Sequence, residues 1–340
     1  MNRRNIGMMC TLILVLLTST WAGEKAPLKL VQSTPLPELK DGDFDHFTVD
    51  LAGSRLFSTA EENSKVLVFD LKTNKLIHTI DGLKAPHSML YRADLKKLFV
   101  VDGDLGELKI YDSATYQPVG TVKLREGADS SSYDPSTHYL YVAEVGKDAH
   151  LPDSYIAIVD TNEAKQVAEI KINSDDVEAM AIEKSGPRIF IDIRGKNEVQ
   201  VYDRNSRHLL ATWSTADEAK KPTTIALDEP DHRLFVGTRD PGKILVMDSE
   251  TGKIITTTPG PAMADDMVYE PDQKRIYISG SQSIDVIEQK DADHYEQIGH
   301  VPTAFRAKTA ILVPQLKRYY LAVPHHEKQT AELRVYDVVQ

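Results

Sequence analysis

One unit recurs seven times along this chain, and that repetition constrains the fold more than any other feature. Each copy contains an apolar run of the type Arg-Leu-Phe-Val, a second run of the type Val-x-Val-x-Asp, and a polar turn that leads to a further run. The copies are spaced by 42 to 49 residues and begin at Ser54, Lys96, His138, Pro187, His232, Lys274 and Lys317. A repeat of this length, with a fourth run before each copy, predicts the blades of a propeller.

The residues within each copy have the pattern of β-strands. β-Branched and aromatic residues alternate with polar ones, clusters of Asp, Asn, Gly and Ser bound the runs, and the runs lack the period of a helix. A four-stranded sheet cannot bury both of its faces alone, so the blades must stack around a channel. The sequence therefore predicts an all-β, seven-bladed β-propeller with four antiparallel strands per blade.

The two ends of the repeat array complement each other. The last copy stops at Gln340 directly after a third strand, LRVYDV, whereas residues 28–36, LKLVQSTPL, form a strand outside every copy. We expect this N-terminal strand to complete the last blade and to cover the edge that an open ring would expose. The predicted domain is residues 23–340, with blades at about 45–86, 87–128, 129–177, 178–222, 223–264, 265–307, and 308–340 together with 28–36.

The motifs themselves resemble a known family. The runs R-L-[FY]-V and V-x-V-[FY]-D, with the turns in FDLKTNK and MDSETGK, resemble the YVTN-type, YncE-like β-propeller proteins, which carry a WD40-like repeat. The resemblance covers about residues 28–340 and implies the propeller fold, but it implies no particular activity. This chain departs from the Y-V-[TA]-N pattern of the family, so no role of that asparagine is transferred. The residues that stand in its place are Ala60, Asp102, Glu144, Ile193, Thr238, Gly280 and Val323.

The first 22 residues have the pattern of a secretory signal peptide. Two arginines precede the apolar run 6–17, and Thr20 and Ala22 provide small residues at the positions that a signal peptidase reads. This run is shorter than the roughly 20 residues that a membrane-spanning helix needs. We therefore expect an exported, soluble and monomeric protein, either periplasmic or extracellular. The single cysteine, Cys10, lies in the signal peptide, so the expected mature chain has no disulfide.

The charge of the chain argues against nucleic acid as a partner. The formal net charge is -11, and removal of the two arginines of the signal peptide leaves 38 basic against 51 acidic residues, or -13. A surface of this sign repels phosphate backbones, and the sequence has no basic stripe with interleaved aromatic residues. We expect a small polar or anionic ligand, or a protein partner, instead.

Alignment of the copies places one ring of polar residues at the mouth of the channel. The innermost strand of each blade starts on the face where the second strand ends, so these positions meet around the channel. The seven aligned residues are Asp45, His87, Asp129, Glu178, Thr223, Asp265 and Lys308. The next position reads His46, Ser88, Ser130, Ala179, Thr224, Asp266 and Thr309, and Glu61 and Arg194 are among the residues that the second-strand loops add to this face.

Two kinds of ligand suit this ring. A divalent cation such as Ca²⁺, Mn²⁺, Mg²⁺ or Zn²⁺ would find carboxylate and imidazole ligands but no thiolate. The predicted metal ligands are Asp45, His87, Asp129, Glu178 and Asp265. Alternatively, an anionic or sugar-like organic ligand would lie between these acids and a basic side of the mouth. The predicted residues of that basic side are Arg194, Arg239, Arg306 and Lys308.

Three further interpretations stay open at this stage. The ring can be a solvated acidic rim in which Asp, Ser, Thr and His cap loop backbone groups. A bound metal with crowded carboxylates would also suit a metal-assisted hydrolase of the lactonase kind, and seven-bladed lactonases resemble this architecture. Finally, the outer rims of a propeller can serve as a platform for protein partners. The sequence has no G-x-x-x-x-G-K-[ST] and no G-x-S-x-G motif, which argues against nucleotide hydrolysis and serine hydrolase chemistry.

Overall fold

A computed structural model describes residues 26–339 and has the predicted architecture. These residues form 28 strands in seven four-stranded antiparallel sheets, so the expectation of an all-β, seven-bladed propeller is confirmed. The predicted signal peptide, residues 1–22, lies outside the described residues.

Six blades are consecutive in the sequence, and the seventh combines both ends of the described chain. Blades 1 to 3 contain β2 to β13, whereas β1 belongs to blade 7. Blade 1 comprises β2 (Phe47–Asp50), β3 (Arg55–Ala60), β4 (Lys65–Asp70) and β5 (Leu76–Ile80). Blade 2 comprises β6 (Pro86–Arg92), β7 (Lys97–Asp102), β8 (Glu107–Asp112) and β9 (Pro118–Lys123). Blade 3 comprises β10 (Ala128–Asp134), β11 (Tyr139–Glu144), β12 (Ser154–Asp160) and β13 (Lys165–Ile172).

The remaining blades follow the same order. Blade 4 comprises β14 (Met180–Ile182), β15 (Arg188–Ile193), β16 (Glu198–Asp203) and β17 (Leu209–Ser214). Blade 5 comprises β18 (Lys220–Asp228), β19 (Arg233–Asp240), β20 (Gly242–Asp248) and β21 (Ile254–Pro259). Blade 6 comprises β22 (Asp266–Glu270), β23 (Arg275–Gly280), β24 (Ser283–Gln289) and β25 (Tyr295–Pro302). Blade 7 comprises β26 (Ala310–Val313), β27 (Arg318–Val323), β28 (Glu332–Val338) and β1 (Leu28–Pro35).

Short 3-10 helices interrupt three of the described connections. Two of them, Glu61–Asn63 and Arg194–Lys196, directly follow the second strands of blades 1 and 4. The third, Pro314–Leu316, joins β26 to β27. None of the described residues forms a helix long and apolar enough to cross a membrane.

The N-terminal strand closes the ring as predicted. β1 pairs antiparallel with β28 from Leu28, opposite Val338, to Pro35, opposite Glu332, with one irregularity near Val31. The two ends of the propeller domain are therefore hydrogen-bonded to each other, and β28 has no open edge.

The hydrophobic core lies between blades. The buried apolar residues of the described chain form seven clusters, and each cluster joins two neighbouring blades. The cluster that joins blade 7 to blade 1, for example, packs Leu56 and Phe69 of blade 1 against Tyr320 and Val335 of blade 7. A strand has two faces, and stacking of blades buries both of them, which explains why the second and third strands are almost continuously apolar.

Arginine side chains add polar contacts between blades on the face opposite the channel mouth. Arg188 of blade 4 pairs with Glu183 and donates to the carbonyl of Ser249 in blade 5 at 2.8 Å. Arg233 and Arg275 reach carbonyls of the next blade in the same way, at 2.8 and 2.7 Å. Because each guanidinium binds a carbonyl of the next blade, these contacts fix the angle between neighbouring blades as well as their distance.

The closure of the ring by β1 is testable with a matched pair of variants. Leu28 is 3% exposed and packs between blades 6 and 7, whereas Val31 is 43% exposed at the irregularity of the same strand. We predict that Leu28→Ala lowers the free energy of unfolding by about 2 to 5 kcal/mol, because it removes buried apolar volume. Val31→Ala should change it by less than about 0.5 kcal/mol. Equal effects in urea-induced unfolding would contradict the closure.

Candidate functional site

The starts of the innermost strands bring three of the predicted residues together at the channel mouth. Asp45 lies two residues before β2, and His87 and Asp129 are the second residues of β6 and β10. The Nδ1 atom of His87 is 2.8 Å from Oδ2 of Asp45 and 3.5 Å from Oδ1 of Asp129. One imidazole therefore joins carboxylates from the two blades that flank it.

A second histidine extends this cluster toward blade 6. The Nε2 atom of His46 is 3.7 Å from Oδ1 of Asp45, and its Nδ1 atom is 3.3 Å from Oδ1 of Asp266. On the other side, Nε2 of His87 is 4.0 Å from Oε1 of Glu61, the first residue of a 3-10 helix. Asp45 thus lies between two imidazoles, with one carboxylate oxygen directed to each.

Two groups of these side chains are close enough together to be candidates for holding a metal ion. Asp45, His46 and Asp129 offer ligand atoms that all lie within 4.8 Å of one another, and so do Asp45, Glu61 and His87. Both groups share Asp45. The five residues are called the mouth cluster below.

Local structure holds His87 in place from behind. Both carboxylate oxygens of Asp102 accept backbone N–H groups of the segment that precedes β6, from Lys84 at 2.8 Å and from Ala85 at 3.1 Å. A Cβ atom at Gly103 would lie 2.8 Å from Nε2 of His87 and 2.8 Å from the carbonyl oxygen of Ala128. Only glycine leaves room here for the imidazole, so the Asp-Gly pair that ends β7 positions the ring residue of the same blade.

The other two predicted metal ligands are engaged in ion pairs. Glu178 pairs with Arg194, whose guanidinium also lies 2.8 Å from Asp176. Asp265 lies 2.5 Å from Arg239 and 2.8 Å from the Nζ atom of Lys308. Basic residues therefore neutralise this half of the ring, and the carboxylates that lack such partners are concentrated in blades 1 to 3.

The predicted basic side of the mouth is consequently not a free cationic surface. Arg194, Arg239 and Lys308 face the acids of their own ring. Arg306 lies farther out, where its Nε atom is 2.7 Å from Asp43 and its Nη2 atom is 3.3 Å from Glu62. All four cations therefore already have carboxylate partners within the chain.

The electrostatics of the mouth cluster favour a charged imidazole. Burial opposes protonation of His87, but Asp129, Asp45 and Glu61 outweigh burial and raise its pKa to about 10. The pKa of His46 is likewise raised well above its usual value, since Asp45 and Asp266 outweigh the effect of burial. Burial would favour the neutral form of Asp45, yet His46, His87 and Lys308 hold its pKa well below the usual range.

The two remaining carboxyl groups are shifted in the opposite direction. Burial raises the pKa of Glu61 to about 7, with a further contribution from Asp45 and Asp129 and opposition from His87. Burial also raises the pKa of Asp129 above its usual value, again against the attraction of His87. The cluster therefore contains three carboxyl groups, and the positive charges of its two imidazolium groups do not fully compensate their negative charges.

A small chamber in the channel adjoins the cluster. It has a volume of about 230 Å³ and is lined by first-strand residues of six blades, among them His46, Ser88, Ser130, Thr224 and Asp266. The serine hydroxyls donate to backbone carbonyls of the following blade, from Ser88 to Asp129 and from Ser130 to Glu178. His46 belongs to both the chamber and the mouth cluster, so a molecule in the chamber would touch the cluster.

The comparisons with known proteins agree with the resemblance seen in the repeats. The chain is 24% identical over 203 residues to the protein YncE of Salmonella typhi, and equally to YncE of Salmonella typhimurium. The alignment covers 58% of this chain and 54% of each relative, so the chain spans about half the length of the curated relatives that it matches. No family model matches the sequence.

Solved structures confirm the architecture. A chain described under "Crystal Structure of Mitotic Checkpoint Complex" superposes with a TM-score of 0.74 at 15% identity, covering 100% of both chains. The structure described as "Crystal structure of RRP9 WD40 repeats" also has a TM-score of 0.74, at 12% identity, covering 93% of this chain and 99% of that one. At such identities the likeness shows the fold alone. The chain is therefore a seven-bladed propeller with weak sequence similarity to YncE.

The ion pairs of His87 predict a specific dependence of stability on pH in the metal-free protein. The folded-state pKa of about 10 exceeds the roughly 6.5 of an unfolded histidine. The contribution of His87 is therefore fully present below about pH 6.5 and is lost as the pH rises toward 10. We predict that His87→Gln reduces the fall in unfolding free energy between pH 6.5 and 10, measured with urea in the presence of EDTA.

A histidine outside the mouth provides the control for this measurement. His208 is exposed in the turn before β17, and His208→Gln should leave the pH dependence of the wild-type protein unchanged. An identical pH profile for wild type and His87→Gln would show that His87 is not held as an imidazolium.

Proposed function

We propose that this chain is an exported β-propeller binding protein whose mouth cluster holds a divalent metal ion. The observation that carries the proposal is the pair of three-residue groups that share Asp45 and place carboxylate and imidazole atoms within 4.8 Å of one another. The propeller itself is a scaffold that suits binding and interaction, and the mouth cluster supplies the chemistry of a specific site.

The distances support a metal without a rearrangement of the backbone. Ligand atoms about 2.0 to 2.2 Å from a metal ion lie roughly 3 to 3.5 Å from one another. The separations of His87 from Asp45, 2.8 Å, and from Asp129, 3.5 Å, are already in or near this range. Rotations of the Glu61 and His46 side chains would bring the remaining ligand atoms closer.

The charge of the cluster supports a divalent ion in particular. Two imidazolium groups supply two positive charges to the surrounding carboxylates, and a divalent ion with two neutral imidazoles supplies the same total. Binding would therefore exchange protons for the metal and leave the net charge of the mouth unchanged. Mixed nitrogen and oxygen ligands favour Mn²⁺ or Zn²⁺ over Ca²⁺ and Mg²⁺, which prefer oxygen alone.

Export is the second part of the proposal and rests on residues 1–22. The paired arginines, the apolar run 6–17 and the small residues that follow it are the features of a cleaved signal peptide. A metal site of carboxylates and imidazoles, without thiolate, is chemically stable in an oxidising compartment outside the cytoplasm.

Metal analysis of the exported chain tests both parts. Intact mass should show a chain that begins at Gly23, and elemental analysis of protein purified without chelator should find one divalent metal per chain. After removal of the metal, titration with Mn²⁺ should release protons, so the observed heat should depend on the ionisation enthalpy of the buffer. Saturating Mn²⁺ should also raise the melting temperature, because the ion binds the folded state.

Variants locate the site. We expect His87→Gln and Glu61→Gln to weaken Mn²⁺ binding by at least about tenfold each, as loss of a ligand does. His294→Gln is the matched control and should leave Mn²⁺ binding unchanged. His294 is exposed outside the channel and lies 2.8 Å from Asp291, so the pair has the same two residue types as His87 and Asp45. Absence of metal, together with a melting temperature indifferent to Mn²⁺ and Zn²⁺, would overturn the metal proposal and leave a self-neutralised rim.

Metal-assisted hydrolysis is a second candidate function, favoured by the chamber beside the cluster. Because His46 lines the chamber and also belongs to the mouth cluster, a lactone or ester in the chamber would lie beside the metal. A bound metal polarises a carbonyl and generates hydroxide near neutral pH. We predict that the Mn²⁺-loaded chain hydrolyses a small lactone at least about tenfold faster than the metal-free chain. Equal rates with and without metal would leave binding as the function.

A further inference from the structure

A cleft between blades 3 and 4 lies on the face opposite the channel mouth. It has a volume of about 610 Å³ and is bounded by the ends of β10 and β16, the start of β11, the middle of β13 and the loop 184–187. None of its lining residues belongs to the mouth cluster. The cleft therefore constitutes a separate place on the molecule.

The sequence explains why a cleft opens at this junction. Six of the seven second strands begin with a basic residue. Four of these residues donate hydrogen bonds to the next blade, namely Arg55, Arg188, Arg233 and Arg275. Blade 3 has Tyr139 at this position. No arginine of β11 therefore enters the space between blades 3 and 4.

An arginine of blade 4 provides the polar contact between blades 3 and 4 instead. Arg204 of blade 4 reaches back to pair with Asp134 of blade 3, and it donates to the carbonyl of Glu183 at 2.9 Å. Its side chain is only 9% exposed, and its Nε atom is buried without a hydrogen-bond partner among residues 26–339. Arg204 thus lines the cleft with its Nη atoms bonded to Asp134 and to the carbonyls of Glu183 and Gly186, and with its positive charge beside the cavity.

The charge of the cleft is positive, in contrast to the chain as a whole. Lys184 and Arg207 line it together with Arg204, and the one acid is Asp134. The carboxylate of Asp134 is already occupied, because it accepts the hydroxyl of Ser136 at 2.6 Å and that of Thr137 at 2.8 Å in addition to Arg204. Two positive charges therefore remain uncompensated within the lining.

The opposite wall of the cleft is apolar and aromatic. It consists of Tyr139, Tyr141, Ile158, Val167 and Ala168. Val167 is 43% exposed and lies at the register irregularity of β13, as Val119 does in the fourth strand of blade 2. A ligand that complements both walls has an apolar body and one negative charge.

We propose that this cleft binds a small organic anion, a carboxylate with an aromatic or branched apolar body. The carboxylate lies toward Lys184, Arg204 and Arg207, and the apolar body packs on Tyr139, Tyr141 and Val167. The proposal is independent of the metal site on the other face, so either can fail without the other.

The probe for this site is 2-naphthoate, with its neutral analogue 2-naphthamide. Isothermal titration of the metal-free mature chain should show one saturable site for 2-naphthoate, with binding that weakens as salt is added. The amide should bind at least about tenfold more weakly, since it lacks the charge. Absence of saturable binding, or equal binding of acid and amide, would overturn the proposal.

Three variants assign the binding to the cleft. Lys184→Met combined with Arg207→Asn removes both exposed cations, and asparagine tolerates the left-handed backbone of Arg207, as Asn74 does at the equivalent turn. Val167→Trp fills the cleft, whereas Val119→Trp places the same residue at the equivalent exposed position of blade 2. We expect the double variant and Val167→Trp to weaken 2-naphthoate binding at least about tenfold, and Val119→Trp to leave it unchanged. Wild-type affinity in both cleft variants would place the ligand elsewhere and overturn the assignment.

Discussion

Packing between neighbouring blades is the interaction on which the rest of this structure depends. Each hydrophobic cluster of the described chain joins two blades, and the ring closes only because β1 pairs with β28. A single blade would expose both apolar faces to water. The propeller therefore forms as a whole, and its closure fixes the positions of the innermost strands around the channel. The site at the mouth is a consequence of that geometry.

The closed ring brings charged residues close together at the channel mouth. The acids of the ring have different cationic partners in blades 4 to 7 and in blades 1 to 3. In blades 4 to 7, acids of the ring pair with Arg194, Arg239 and Lys308. In blades 1 to 3, the available cations are the imidazoles of His46 and His87, whose protonation depends on the carboxylates around them. Arginine and lysine give permanent ion pairs, whereas histidine can release its proton and bind a metal. The mouth therefore has one half in which the cations are arginine and lysine, and one half in which they are histidines.

Much of this arrangement was predictable from the sequence. The repeat gives the number of blades, the closure by residues 28–36, and the ring position shared by Asp45, His87 and Asp129. The partners of Glu178 and Asp265 were not predictable, because they depend on how far each arginine or lysine reaches across the ring. His46 was harder to assign to the site, since strand alternation directs it away from Asp45. Both residues precede the regular part of β2, where Asp45 donates to the Thr59 carbonyl and His46 accepts from the Thr59 N–H, so alternation does not apply.

The direct test of the central claim is a crystal structure of the mature protein soaked in Mn²⁺, with anomalous diffraction data. We predict one anomalous peak at the channel mouth, within about 2.0 to 2.3 Å of ligand atoms from Asp45 and His87. The claim would be contradicted if crystals soaked in saturating Mn²⁺ showed no anomalous peak at the mouth and His87 were still bound to Asp45 and Asp129. The cluster would then be a closed ion-pair network of the scaffold.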